Sequence, residues 1–328
     1  MSPRSADAGP SRDAGEPSGR STHHWEYLAL LALGGMWGSA FPFIRLGLLA
    51  GAPALLFASF RFLGAAAVVS IVAAARREAW PARRDLALSA LWGGGLLVAG
   101  YMGFLYTGEE SVTAGIAAVL IASGALWSAL LGYTFLPQDR LGRAGMAGIL
   151  IGFLGVSVLF LPDLAGGSYL RVLPLLFVLG AALAFAIGSV GLRKTVSAPQ
   201  GTWALSAEFA LGGLLLLVLA LAAGETRMPL GSSVTLSLGY LIVVPSVLGY
   251  SVYFLLHHRV GPLRANVVAY VNPIAGILLG MALLGETVTG YELGGFLLIV
   301  AGIYLVQRDR GSPAEHPPGT PTPASQKG

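Results

Sequence analysis

Ten apolar runs, each close to the length that crosses a bilayer, constrain this chain more than any other feature. They lie at 27–49, 54–75, 86–107, 112–136, 142–161, 173–192, 202–223, 236–256, 263–284 and 291–306, the last being short. A hydrocarbon core about 30 Å thick takes roughly 20 residues of helix. Lipid offers backbone N–H and C=O groups no water, so such runs must satisfy themselves as helices. The connections are too short for a soluble domain. Only 11% of the residues are charged and 55% are hydrophobic, against about 25% charged in a soluble chain. The expected fold class is an all-α polytopic membrane protein of ten transmembrane helices.

Lys and Arg set the orientation, because they accumulate in cytoplasmic loops. With the N-terminus inside, the cytoplasmic segments hold 16 of the 20 basic residues, and the outer segments hold only Arg171 and Arg227. Arg45 and Arg61 remain within spans. Both termini are therefore expected in the cytoplasm. Residues 1–24 and 309–328 are polar and rich in Pro, Gly and Ser. They read as disordered tails, and the first lacks the apolar core of a signal peptide. The 18 Arg against two Lys, with abundant Ala and Gly, point to a GC-rich bacterial genome and hence a plasma (inner) membrane.

A shift of 147 or 148 residues superposes one half of the chain on the other. Gly132 falls on Gly280, Gly142 on Gly290, Gly148 on Gly295, Gly155 on Gly302, and Arg61-Phe62 on Glu208-Phe209. Five spans is an odd number, so the second half enters from the opposite side. This inverted repeat is a construction of secondary transporters. The halves are taken as 25–165 and 166–308. Arg61 and Glu208 then occupy symmetry-related depths with opposite charge, each roughly 10 Å into its span at 1.5 Å per residue. Charge at that depth is tolerable only beside a partner or a wet cavity.

The segments WGSAFPFIRLGL (37–48), LLFASFRFLGAAAVV (55–69) and RANVVAYVNPIAGILLGMALLGETVTGYELGGFLLIVAGIYL (264–305) resemble the EamA-type branch of the drug/metabolite transporter superfamily. The resemblance covers about 27–306. It implies two inverted five-helix halves around a central cavity and the export of amino acids or other metabolites. Related branches move nucleosides, vitamins or sugar conjugates. The chain departs from the pattern in its first half. Ala125 stands where a helix-breaking Pro is expected, which predicts a straighter span 4. Pro137-Gln138 replaces the Gly-Glu pair that closes the span.

The candidate site follows from polar and aromatic residues within spans. Arg61 reads either as an anchor for a substrate carboxylate or as a structural Arg bonded within the bundle. Glu208, the only acid deep in any run, reads as a binder of a substrate ammonium, a proton carrier, or a partner for Arg61. Trp37, Tyr101, Trp127, Tyr250 and Tyr253 suit the wall of an organic-ligand site or ordinary helix packing. Ser39, Ser123, Asn266 and Asn272 suit polar contacts between helices. Pro42, Pro245 and Pro273 mark hinges or bends. Arg45 is expected to snorkel to the outer interface. His257 and His258 beside Arg259 favour a helix end at the inner leaflet over a metal site.

Enzymatic chemistry is not expected. The sequence has no Cys, no HExxH and no span with Asp or His, and the segment at 188–195 lacks the second Gly of a phosphate loop. No cofactor, metal or nucleic acid is expected, since the basic residues sit in short loops. The expected partners are a small-molecule substrate, the bilayer and protons as a candidate coupling ion, with the chain a monomer or weak homodimer. The reading is an amino-acid exporter working by alternating access. A carrier of nucleosides, vitamins or drugs, a channel and a lipid scrambler are the alternatives. Spans 1–4 and 6–9 would enclose the cavity. The Gly-rich spans 5 and 10 would form scaffold, each packed on its own half.

Overall fold

The computed structural model describes residues 24–137, 139–166, 169–196, 201–257 and 267–311. Most of both tails, Gln138, His258, Arg259 and Asn266 lie outside them, as does the side chain of His257. Every regular element among the described residues is helical. Spans 1 to 8 become helices α1 (Trp25–Leu49), α2 (Ala54–Ala75), α3 (Arg83–Glu109), α4 (Ala114–Phe135), α5 (Arg143–Ala165), α6 (Val172–Thr195), α7 (Thr202–Ala222) and α8 (Ser232–Tyr253). Spans 9 and 10 become α9 (Val267–Leu284) and α10 (Gly290–Gly311). Nine of these are long and apolar enough to cross a membrane, and α9 is a shorter apolar helix.

Four spans are interrupted, and the sequence anticipated only some of the breaks. α1 turns at Ser39, three residues before Pro42, so the missing Pro N–H falls in the first turn of Ala40–Leu49, where it is least costly. In α8 a π-helical stretch, Ile242–Leu248, surrounds Pro245. The π-helical stretch Ala90–Gly100 of α3 contains no Pro at all. α4 is not straight. It breaks at Ser123, whose hydroxyl donates to the Leu120 carbonyl at 2.6 Å. A hydroxyl that back-bonds to the preceding turn bends a helix without proline. Conversely, α9 runs unbroken through Pro273.

Two of the seams that join the halves obey two-fold logic, in which a contact between i and j′ implies one between j and i′. In the first, α2 lies along α7. Ser59 Oγ donates to the Gly213 carbonyl at 2.9 Å, and Ser206 Oγ, 147 residues after Ser59, donates to Ala66, 147 residues before Gly213. Phe62 and Phe209, equivalent in the repeat, meet across this axis at 5.4 Å. In the second, α5 lies along α10. A Cβ on Gly148 would stand 2.7 Å from the Gly302 carbonyl, and one on Gly155 2.7 Å from that of Gly295. The expectation that each glycine-rich span packs on its own half is therefore corrected. The small faces of α5 and α10 serve each other, because bare backbones approach closely only where both sides lack side chains.

The ends of α2 and α7 are also reciprocal. α2 closes with Arg77 at φ 51° and α7 with Gly224 at φ 81°. Each turn places a glutamate, Glu78 or Glu225, on the first turn of the opposite helix. Glu225 Oε2 accepts from Leu56 N at 2.8 Å. Glu78 accepts from Thr202 N and Thr202 Oγ1, the latter at 2.8 Å. A carboxylate at a helix N-terminus satisfies orphan donors and suits the dipole. Each half thus caps a helix of the other at each membrane face.

Candidate functional site

Arg61 lies on α2 where it meets α8, and it is 3% exposed. Its Nε donates to Ser246 Oγ at 3.0 Å and its Nη1 to Tyr106 Oη at 3.2 Å. The guanidinium carbon lies 4.8 Å from the Phe62 ring centre. Ser246 belongs to the π-helical stretch of α8 and its hydroxyl donates to the Leu241 carbonyl. Arg61 therefore ties the first half to the irregular helix of the second.

Glu208 is 5% exposed, on the face of α7 against α3. Ser89 Oγ donates to its carboxylate. Gly93 provides the room: a Cβ there would fall 2.6 Å from Glu208 Oε2. Arg61 bonds to Ser246 and Tyr106, and Ser89 is among the partners of Glu208. Both side chains are buried within the bundle. A groove of about 500 Å³ between α3 and α7 is apolar and includes neither residue; Arg83, Leu86, Ala207 and Leu211 are among its walls.

Several other predicted residues gather around this centre. Trp37 packs on Tyr250 and Tyr253 at 5.6 and 5.7 Å, and Tyr250 meets Phe209 edge-on at 5.1 Å. Trp37 Nε1 donates to the Pro245 carbonyl at 3.1 Å, joining α1 to the irregular part of α8. Ser39, at the break in α1, accepts from Tyr240 Oη at 2.8 Å. Tyr101 lies within electrostatic reach of Tyr250, Arg61 and Glu109 and packs on Phe185 of α6.

Trp127 does not join the cluster. It packs on Phe153 of α5 at 4.5 Å. Asn272 sits at the α1–α9 contact, where Gly38 lies against its carbonyl, and its buried Oδ1 has no hydrogen-bond partner. Arg45 bonds at the outer end of α3. Its Nη1 donates to the carbonyl oxygens of Glu109 and Glu110, at 2.5 and 2.7 Å.

Tyr106, Ser246, Ser89, Tyr240 and Glu109 were not singled out from the sequence. The repeat register could have exposed the reciprocal glutamates, since Glu78 and Glu225 are 147 residues apart. Glu109 looked like a loop acid at the end of an apolar run, yet it is fully buried. Glu208 is therefore not the only buried acid. Among the described residues, no cluster of His, Asp and Glu suited to a metal occurs.

This architecture defines a class: a helical membrane protein of two back-to-front halves, with polar groups buried on the seam between them. The EamA-like transporter family matches residues 24–161 and 172–308, one copy on each half, and the chain belongs to that family. It is 33% identical over 281 residues to the uncharacterized inner membrane transporter YedA of Escherichia coli K12, an alignment covering 85% of this chain and 89% of that one. It is 30% identical over 290 residues to a probable amino-acid metabolite efflux pump of Salmonella typhimurium, covering 85% and 93%. A solved crystal structure shares the fold with a TM-score of 0.58 at 22% identity, covering 87% of this chain and 96% of that one. The protein is an integral membrane transporter.

Proposed function

We propose that this chain exports small amphipathic metabolites across a bacterial inner membrane, with amino acids as the first substrate class. One observation carries the reading. The two ionisable side chains at equivalent positions of the repeat, Arg61 and Glu208, are both buried where one half meets the other. They lie beside the interrupted helices α3 and α8. A guanidinium suits a carboxylate through paired N–H donors, and a carboxylate suits an ammonium, so an amino acid offers a complement to each. The relative in Salmonella named a probable amino-acid metabolite efflux pump supports the same substrate class.

In the proposed cycle, the halves rock about the α2–α7 seam. Opening separates Arg61 from Ser246 and frees its donors for substrate. Trp37, Tyr250 and Tyr101 supply apolar wall, and Ser39 supplies a hydroxyl. Pro42 and Pro245 lie at the breaks that flex. Glu208 exchanges its Ser89 bond for substrate or a proton. Trp127, Asn272 and Pro273 take supporting places at the edges of the moving helices.

Metabolite profiles of medium from overexpressing and deletion strains identify the substrate. With that substrate, purified protein in vesicles is expected to saturate and to show counterflow of label, and linear flux without counterflow would indicate a channel. Arg61→Ala is expected to abolish counterflow while folded protein stays in the membrane. Loss of the folded protein would make the Ser246–Arg61–Tyr106 tie structural only. Glu208→Gln is expected to flatten the pH profile of transport, and an unchanged profile would remove its proposed role as proton carrier.

A further inference from the structure

Four acids converge on the outer face. Two are used as caps: Glu225 holds Leu56 N, and Glu286 accepts from Ala114 N and Gly115 N, at 2.8 and 3.1 Å, at the start of α4. Glu110 is exposed and adjoins Glu225. Glu109 differs from all three. It is 0% exposed, and neither carboxyl oxygen has a hydrogen-bond partner. Arg45 lies within electrostatic reach, but its Nη1 bonds to the backbone carbonyls of Glu109 and Glu110 and not to the carboxylate. A buried carboxylate with no donor at either oxygen is costly, and a proton removes the charge.

The surroundings of Glu109 are themselves polar. The charged groups facing it are Arg45 from α1, Arg61 from α2 and Glu286 beyond α9. Tyr101 and Tyr106 face it from its own helix. Tyr106 accepts from Arg61, and Tyr250 lies within electrostatic reach of both Arg61 and Glu208. A file of ionisable and hydroxyl groups thus runs from Ser89 and Glu208 near the inner side, through Tyr250, Arg61 and Tyr106, to Glu109 at the outer end.

We propose that Glu109 is a proton-binding site of the closed outer face, and that losing its proton opens that face. Without the proton, a buried carboxylate at Glu109 faces that of Glu286 beside Arg45, and separating the halves lets water reach them. Burying the bare carboxylate costs more than burying the neutral acid, so the closed form holds that proton more tightly than an open one. Closure is favoured at acid pH and loses that support as pH rises.

The proposal rests on the carrier reading for the motion, while the proton is detected independently of transport. The chain has no Cys, so spin labels can go on Leu49→Cys and Leu230→Cys alone, two exposed outer sites on opposite halves. In nanodiscs, the distance between them is expected to lengthen as pH rises. Glu109→Gln, which mimics the protonated acid in shape, is expected to hold the short distance at every pH, and Glu109→Asp to restore the response. Infrared difference spectra are expected to contain a protonated-carboxyl band that Glu109→Gln removes. Spectra of Glu109→Gln that lose no protonated-carboxyl band relative to the unaltered protein, or a distance that still responds to pH in that variant, overturn the proposal. Absence of counterflow with the band and the pH response intact would instead overturn the carrier reading alone.

Discussion

The two symmetric seams between the halves are built from opposite materials. Along α5 and α10 the contact is glycine backbone on glycine backbone: Gly148 and Gly155 against Gly302 and Gly295. Along α2 and α7, and onto α3 and α8, it is hydroxyls, aromatic rings, an arginine and a glutamate. The first seam has few alternative arrangements, since close-packed backbones do not slide without clash. The second holds its polar groups by hydrogen bonds that other partners could replace. The difference teaches where motion belongs: the glycine seam joins the halves, and the polar seam is the one that works.

The largest expected effect breaks the first seam. Gly148→Leu drives a side chain into the Gly302 carbonyl and Leu305. Overpacking costs about 1–3 kcal/mol and at times more. Folded yield and thermal stability in detergent are expected to fall sharply. A stable, active variant would mean that the seam is loose. Next come the reciprocal caps. Glu78→Gln and Glu225→Gln each weaken a carboxylate cap between halves, a class of change costing about 0.5–2 kcal/mol. Their consequences are expected to differ by face, with Glu225→Gln exposing the outer side and Glu78→Gln the inner side to impermeant labels. Equal labelling of both sides in both variants would show that the caps hold the fold rather than the faces. The smallest effect sharpens the symmetry itself. Arg77 adopts at φ 51° the left-handed turn that Gly224 adopts in the other half. Arg77→Gly is expected to raise stability by up to about 1 kcal/mol, because glycine takes this conformation freely. A loss would mean that the Arg77 side chain has a role of its own.

Much of the fold was legible because lipid imposes a simple rule: every span had to be an apolar helix, and length counted the spans. The register of 147 residues predicted the equivalence of Phe62 and Phe209, which turned out to touch. It could not predict which helices would lie side by side, so α5 and α10 were each expected to pack on their own half. Local chemistry also escaped the pattern. The break in α4 comes from a hydroxyl, Ser123, where a proline was the expected signal. Arg61 and Glu208 were legible as buried charges, but their partners, Ser246, Tyr106 and Ser89, lie on α3 and α8, distant in the chain. Glu109 was missed because an acid at the end of an apolar run looks solvated. Only the packing of other helices around the end of α3 buries it.

The central claim is that the polar seam opens to each side in turn. Ser246→Cys, beside Arg61 in a chain otherwise free of cysteine, gives a direct test in oriented membrane vesicles. The account predicts that a membrane-impermeant maleimide reaches this cysteine from either face, with an added amino-acid mixture shifting reactivity from one face to the other. A cysteine that never reacts from either face, in folded protein, would mean a permanently solid interior and would contradict the account.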